Sequence, residues 1–320
     1  MPNREAFTQS ESVALSMIRV FAMTLIVLCH IAQCFDLQIA YLLNVGVQIF
    51  FFMSGFLYGR LEITGPPYGF YKKRFVKVFL PYYIFLAIVI VVYAVFKLYK
   101  FNAQQILLYL LNLQWFSTPI DGLNHLWFLT VLMVGYLLTP WVKRLIEKHP
   151  VCFILVFVVC CVVEFVFVRK FYSYCAWVAL YFVGMLFGQY YSKKASNLVL
   201  LVSSIVLAVL LVLFKPEWLS QKGFVHHTIW FHWVLGLFLF VSLFRLLPLV
   251  VNSEKKHLLI KHLDSVSYEV YLVHHPLILG PLSLMFVTKI AWLNVLIMLL
   301  IVYLLSRVLH YICSFTKSFV

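Results

Sequence analysis

The sequence predicts an all-α integral membrane protein, a polytopic bundle of about ten transmembrane helices. Hydrophobic residues make up 64% of the 320 residues and charged residues only 11%, whereas soluble domains carry roughly 25% charged residues. Apolar runs repeatedly reach about 18 residues or more, the length that a helix needs to cross a bilayer. These runs are continuous, as in IFLAIVIVV at 84–92, and not alternating as in a membrane β-barrel.

The apolar runs place ten spans between residues 13 and 313 of a single membrane-embedded domain that covers residues 1–320. An eleventh apolar stretch, at 104–115, is short and contains several amides, so we interpret it as an interfacial or re-entrant segment. The ten predicted spans are 13–34, 43–59, 78–96, 124–142, 150–168, 174–191, 197–214, 228–249, 266–287 and 291–313.

The distribution of the basic residues predicts the orientation of these spans. With ten spans and a cytoplasmic N-terminus, 17 of the 25 Lys and Arg residues fall in inner segments and 7 in outer segments. Because Lys and Arg accumulate in cytoplasmic loops, this split predicts a multi-pass protein of the cytoplasmic (inner) membrane with both termini in the cytoplasm. A crossing at 104–115 would largely remove the bias. The net charge of +14 follows from the same rule, and we expect no nucleic-acid partner.

Ionisable residues inside spans are costly, by about 2.5–3.5 kcal/mol on insertion scales, and therefore indicate function. Arg19 and His30 both lie in the first span. Eleven residues separate them by about 16 Å along the helix and about 20° around it, so both lie on one face. A snorkelling Arg with a packed polar His is the structural alternative.

Further histidines lie in two later spans. His274 and His275 are near the middle of the ninth span, directly before Pro276, which prevents a normal helical hydrogen bond. Adjacent helical residues point about 100° apart, so we expect at most one of the two to share a site with His30. His125 begins the fourth span at the outer face, where a residue of the interfacial aromatic belt is the alternative.

Two cations, Arg74 and Lys77, open the third predicted span at positions i and i+3. We expect them to share one helix face at the cytoplasmic surface, where backbone N–H groups of a helix start would help to bind an anion. Topology signalling and anionic lipid headgroups are the alternatives. Metal binding is not predicted, because His and Cys show no metal-ligand spacing. Glu164, in the fifth span, is left without a role.

Several sequence motifs together resemble the acyltransferase 3 family of membrane O-acyltransferases, which acylate sugars of bacterial surface glycans and lipids. The resemblance covers residues 13–313, with the motifs in matching order and on matching membrane sides. They are Arg19 with His30, VGVQIFFFMSGF at 45–56, RFVKVFLP at 74–81, HLWFL at 125–129 and SYEVYLVH at 267–274. Where the family usually has Arg-x-x-Arg, this chain has Arg74 and Lys77, and lysine lacks bidentate phosphate geometry.

The resemblance implies transfer of an acyl group, usually acetyl, from cytoplasmic acyl-CoA to a hydroxyl of a cell-surface or exported carbohydrate, either a polysaccharide or a lipid-linked glycan. It implies that His30 is the general base, with Arg19 as the second catalytic residue, and that Arg74 and Lys77 bind the phosphates of acetyl-CoA or another acyl-CoA. An acyl-histidine intermediate is a less favoured variant. His274, Tyr271 and His125 are candidates to orient the substrate.

The partners implied are thus acyl-CoA, a carbohydrate acceptor and the lipid bilayer, without a metal. The alternative function is a membrane transporter or flippase for a glycan or a lipid-linked precursor, with Arg19 and the histidines along the path. The sequence shows no paired broken helices and no internal repeat of the kind that many transporters have. Turnover of a thioester would separate the two functions.

Overall fold

The computed structural model describes residues 7–62, 66–167, 174–213, 227–250 and 254–317, which contain no β-strand. A π-helical turn at Phe75–Phe79 joins α4 to α5, and 3₁₀ turns occupy Gln114–Phe116 and Asn124–Leu126. The helices are α1 (Gln9–Cys34), α2 (Ala40–Leu43), α3 (Val45–Arg60), α4 (Pro67–Arg74), α5 (Leu80–Val95), α6 (Ala103–Leu110), α7 (Trp127–Lys148), α8 (Pro150–Phe167), α9 (Tyr174–Gln189), α10 (Lys193–Leu213), α11 (His227–Val250), α12 (Glu254–Ser265), α13 (Ser267–Leu279) and α14 (Ala291–Lys317).

The described residues contain seven helical segments that are long and apolar enough to cross a membrane. Two shorter apolar helical stretches, Pro150–Val159 and Ala176–Gln189, coincide with the fifth and sixth predicted spans. The predicted class, a polytopic all-α membrane protein, is therefore confirmed. The seven segments are Gln9–Cys34, Ala40–Arg60, Pro67–Val95, Asn124–Lys148, Lys193–Leu211, Phe231–Leu249 and Ala291–Thr316.

The ninth predicted span, 266–287, is not one continuous helix. Its helix, α13, has 13 residues and is therefore only about 20 Å long. It ends at Leu279 because a proline at 281 keeps the preceding residue, Gly280, out of the helical conformation. The irregular chain that follows is held by Asn294, whose side-chain amide donates to the carbonyls of Met285 and Thr288, both at 2.9 Å.

The segment at 104–115 does not span the membrane, in agreement with the prediction from the sequence. Helix α6 has 8 residues and is about 12 Å long, and a capping box of Asn102 and Gln105 starts it. The amides that follow bond to nearby backbone: Asn112 donates to the Leu129 carbonyl at 3.1 Å, and Gln114 donates to the Leu126 carbonyl. Irregular backbone at membrane depth needs such partners, which explains the polar residues of this stretch.

The third span begins earlier than predicted. Helix α4 starts at Pro67, a residue type suited to the first helical turn, and the helical run continues through the π-helical turn into α5. Arg74 and Lys77 thus lie inside a helical run, where backbone N–H groups are engaged in helical hydrogen bonds. The expectation that N-terminal N–H groups at Arg74 help to bind an anion is therefore wrong.

The chain divides into two compact units. The first contains residues 1–29, 38–64 and 134–261, and the second contains residues 30–37, 65–133 and 262–320. In the first unit, glycines bring α3 and α9 into backbone contact. A Cβ added to Gly55 would lie 1.7 Å from the Tyr181 carbonyl oxygen, and one added to Gly184 would lie 2.1 Å from that of Phe52. This is the small-residue packing typical of membrane helices.

The first unit also gives one of the predicted inner-side cations a structural role. Lys143, on α7, is only 3% exposed. Its ammonium donates to the carbonyls of Tyr58, at 2.6 Å, and Leu61, at the C-terminal end of α3. Terminal helix carbonyls lack intrahelical partners, so a lysine is a suitable cap for them.

Candidate active site

Four histidine rings converge within the second unit. His30 is near the end of α1, His125 is in the 3₁₀ turn before α7, and His274 and His275 are on α13. The ring centroid of His30 lies 4.6 Å from that of His275 and 5.2 Å from that of His274. The His125 centroid lies 4.7 Å and 5.3 Å from the same two rings. We call these four side chains the histidine cluster.

The cluster brings both adjacent histidines of α13 next to His30, so the expectation that at most one would share its site is wrong. The centroids of His274 and His275 are 6.0 Å apart, although the two side chains leave the helix in different directions. The His30 ring lies between these two directions and therefore contacts both rings. Helical directions alone do not show this, because it depends on where the end of α1 lies.

The protonated nitrogens of His30 and His275 follow from their partners. His30 Nδ1 lies 2.7 Å from Gln33 Oε1, and His275 Nδ1 lies 3.0 Å from the Gly122 carbonyl oxygen. An amide oxygen and a carbonyl oxygen only accept hydrogen bonds, so each Nδ1 is the donor. In each neutral ring the lone pair is therefore on Nε2, the nitrogen that can act as a base.

The two remaining rings, those of His125 and His274, contain buried nitrogens without a hydrogen-bond partner among the described residues. His274 Nδ1 donates to the Val270 carbonyl at 3.0 Å, which also leaves the lone pair on Nε2. His274 Nε2 and both ring nitrogens of His125 have no hydrogen-bond partner among the described residues. His274 is fully buried and His125 is 5% exposed. Buried polar groups are nearly always satisfied, so this concentration of unsatisfied ring nitrogens points to a binding site.

Tyr271 supports the cluster from α13. Its hydroxyl donates to the His125 carbonyl at 2.6 Å, and its ring centroid lies 5.1 Å from that of His125. One turn earlier, the Tyr268 hydroxyl donates to the Val78 carbonyl at 2.7 Å. Tyr271 thus holds the turn that carries His125, and its hydroxyl proton is engaged there. His125 is therefore buried in the cluster, and does not have the exposed position expected of a residue in the interfacial aromatic belt, which was the alternative for it.

Two glycines set the position of His275 and are not found by the sequence reasoning. Gly122 has φ of 78° and lies so close to Gly280 that a Cβ on either would come within 2.8 Å of the other's Cα. This crossing brings the Gly122 carbonyl to His275. Two sequence signals could have indicated these glycines: Asp121–Gly122 is a typical turn dipeptide, and Gly280 directly precedes a proline. Gln33 is a further missed residue, three positions after His30.

The predicted cations lie on three elements: α1, the end of α4 and the π-helical turn. Arg19 is half-buried on α1 and belongs to the first unit. In the second unit, Arg74 is half-buried at the end of α4 with its guanidinium 5.8 Å from the Phe70 ring centroid. Lys77 is exposed in the π-helical turn. Such turns inside α-helices are often found at functional sites.

Neither a metal site nor a role for Glu164 emerges from the part of the chain that the structure describes. Its residues contain no group of three or more His, Cys, Asp or Glu placed to hold a metal ion. The side chain of Glu164 lies outside the described residues.

Comparison with known proteins gives one match. A family model described as an acyltransferase domain matches residues 12–311, nearly the whole chain. The match includes the histidine cluster, Arg19, Arg74 and Lys77. Comparison with curated proteins found no match, and comparison with solved structures found none either.

Proposed function

We propose, from the premise that this chain belongs to the acyltransferase 3 family, that it transfers an acetyl group from acyl-CoA to a hydroxyl of a cell-surface or exported carbohydrate. Membership of the family makes the protein an acyltransferase; the donor, the acetyl group and the acceptor are parts of the proposal. His30 is the proposed general base. The observation that carries this role is the hydrogen bond from His30 Nδ1 to Gln33, which leaves the lone pair on Nε2 inside the histidine cluster.

The proposed reaction is a direct transfer. The acceptor oxygen attacks the thioester carbonyl carbon while His30 Nε2 takes the hydroxyl proton. The C–S bond then breaks, the acyl group stays on the acceptor oxygen as an ester, and His30 returns its proton to the leaving thiolate. A positioned base of this kind contributes roughly 10²–10⁴-fold to the rate. The second catalytic residue proposed from the sequence is Arg19.

Turnover of acetyl-CoA by the purified protein tests the proposal. We expect release of free CoA that depends on an added carbohydrate acceptor, together with an ester product whose mass exceeds that of the acceptor by one acetyl substitution. In cells, loss of the gene is expected to remove that mass from a surface glycan. A transporter or flippase needs no thioester chemistry, so a protein that consumes no acetyl-CoA with any acceptor would favour that function.

Donor binding is assigned to Arg74 and Lys77. We expect Arg74→Ala to raise the KM for acyl-CoA with a smaller effect on kcat, because charge-assisted bonds to phosphate act in the ground state as well as in the transition state. Lys77→Arg is expected to retain or improve activity, since arginine adds a bidentate contact. Steady-state kinetics with acetyl-CoA as the varied substrate measure both. An Arg74→Ala protein with an unchanged KM would reduce the pair to topology signals.

A cytoplasmic donor site requires the predicted orientation, in which the protein lies in the inner membrane with both termini in the cytoplasm. We propose this orientation from the distribution of basic residues and from the short α6, which does not span. A single cysteine placed at Ser253 reports on it. Ser253 lies outside the described residues, in the predicted inner loop 245–265.

The expected result is that an impermeant maleimide labels Ser253→Cys only after the cells are permeabilised. The protein background must lack the seven native cysteines. A second cysteine in the predicted outer segment, at Thr288, serves as the matched control and is expected to be labelled in intact cells. Labelling of Ser253→Cys in intact cells would overturn the ten-span orientation and the cytoplasmic donor site with it.

A further inference from the structure

The histidine cluster is rich in acceptors and poor in donors. His30, His274 and His275 each commit the Nδ1 proton to an oxygen of their surroundings, so each neutral ring presents only the Nε2 lone pair. The Tyr271 hydroxyl proton is committed to the His125 carbonyl. Of the four rings, only His125 has an N–H that no described residue engages. Three acceptors thus lie together, and among the described residues only His125 offers them an uncommitted N–H.

A ligand that satisfies such a cluster must bring several hydrogen-bond donors. A single hydroxyl supplies one proton and pairs with one Nε2, which leaves the others without a donor, among them the buried His274 Nε2. Two neighbouring hydroxyls on one ring supply two donors a few ångströms apart, on the scale of the 4.6 Å between the His30 and His275 ring centroids. A vicinal diol can therefore pair with two of the three lone pairs at once, whereas an isolated alcohol can pair with only one.

We propose that His275 is a specificity-determining residue, which accepts a hydrogen bond from the hydroxyl next to the one that is acylated. This inference rests on the proposed function and deepens it: the acceptor is a vicinal diol. The reacting hydroxyl donates to His30 Nε2, and its neighbour donates to His275 Nε2. The second contact holds the diol in register and transfers no proton.

His275 suits this role better than His274 does because its ring is held from three sides. Its Nδ1 is fixed by the Gly122 carbonyl at the crossing of Gly122 with Gly280. Its face is stacked on His125, with an interplanar angle of 14°. Its ring also lies closer to His30 than the ring of His274 does, and nearly perpendicular to it at 76°. A ring fixed in this way can discriminate between ligands.

Two substitutions of His275 separate its two nitrogens. His275→Asn keeps an amide N–H near the Nδ1 position, where it can still donate to Gly122, but removes the Nε2 acceptor. His275→Gln extends the amide toward the Nε2 position and gives up the Nδ1 contact. The control is His232→Gln, a buried histidine of the first unit whose Nε2 lies 2.6 Å from the Tyr41 carbonyl oxygen.

The experiment measures acetyl transfer from acetyl-CoA to methyl glycosides of the gluco, galacto and manno series and to their monodeoxy analogues. We expect the wild-type protein to favour a parent glycoside over an analogue that lacks the neighbouring hydroxyl by about 10- to 100-fold in kcat/KM. His275→Asn is expected to lose this preference because it loses activity on the parent only. His275→Gln is expected to keep part of the preference, and His232→Gln all of it.

The outcomes distinguish this inference from the proposed function. A wild-type protein that turns over acetyl-CoA without preferring a diol overturns the role of His275 and leaves acyl transfer in place. A preference that survives in His275→Asn at the wild-type level overturns it as well. A wild-type protein without any acetyl-CoA turnover refutes the proposed function itself.

Discussion

Replacement of His30 by asparagine is expected to lower acyl transfer by about 10²- to 10⁴-fold, the contribution of a positioned general base. The asparagine amide keeps a donor near the Nδ1 position for Gln33 but carries nothing at the position of Nε2. His30→Ala removes both nitrogens and is expected to lose at least as much. The measurement is kcat/KM for acetyl-CoA, determined with the purified protein at a saturating concentration of the acceptor.

Normal insertion and abundance distinguish a lost base from a lost fold. The helix ends four residues after His30, at Cys34, so we expect membrane levels and thermal stability near those of the wild type for both variants. His232→Gln again provides the matched control, as a buried histidine outside the cluster. Activity of His30→Asn within about threefold of the wild type would exclude His30 Nε2 as the base.

The fold follows from the sequence wherever a segment's own composition decides its structure. Continuous apolar runs predict the long helices, and the amides of 104–115 correctly predict a segment that does not span. The two ends that differ were set by proline: Pro67 starts α4 one turn or more before the basic residues, and the proline at 281 stops α13 at Leu279. Hydropathy marks neither end, for different reasons: apolar residues continue on both sides of Gly280, whereas α4 itself is polar, so that the apolar run begins only after it.

The site is less predictable because its parts come from separate segments. His30, His125 and His274 are each recognisable as costly polar residues in or beside apolar runs, and the structure brings all three together. Their convergence depends on packing that a single segment does not contain. The bond from Gly122 to His275 is an example, since it needs a left-handed glycine 153 positions earlier in the chain. Such partners are backbone atoms, which no residue pattern singles out.

The glycine contact between α3 and α9 predicts the largest effect on folding. We expect Gly55→Ala to destabilise the protein at the upper end of about 1–3 kcal/mol, the usual cost of overpacking. The added Cβ would lie 1.7 Å from the Tyr181 carbonyl oxygen and 2.9 Å from the Met185 nitrogen. Both are backbone atoms of α9, so no side chain can turn away, and the two helices must separate.

Gly135→Ala is the matched control because it meets the same tyrosine differently. Its nearest neighbour would be a ring atom of Tyr181 at 3.4 Å, an ordinary contact, and alanine is the better helix former by up to about 1 kcal/mol. We therefore expect Gly135→Ala to match or exceed wild-type stability, while Gly55→Ala lowers both the thermal midpoint and the yield of monodisperse protein in detergent. Equal stability of the two variants would show that α3 and α9 are not in backbone contact in the folded protein.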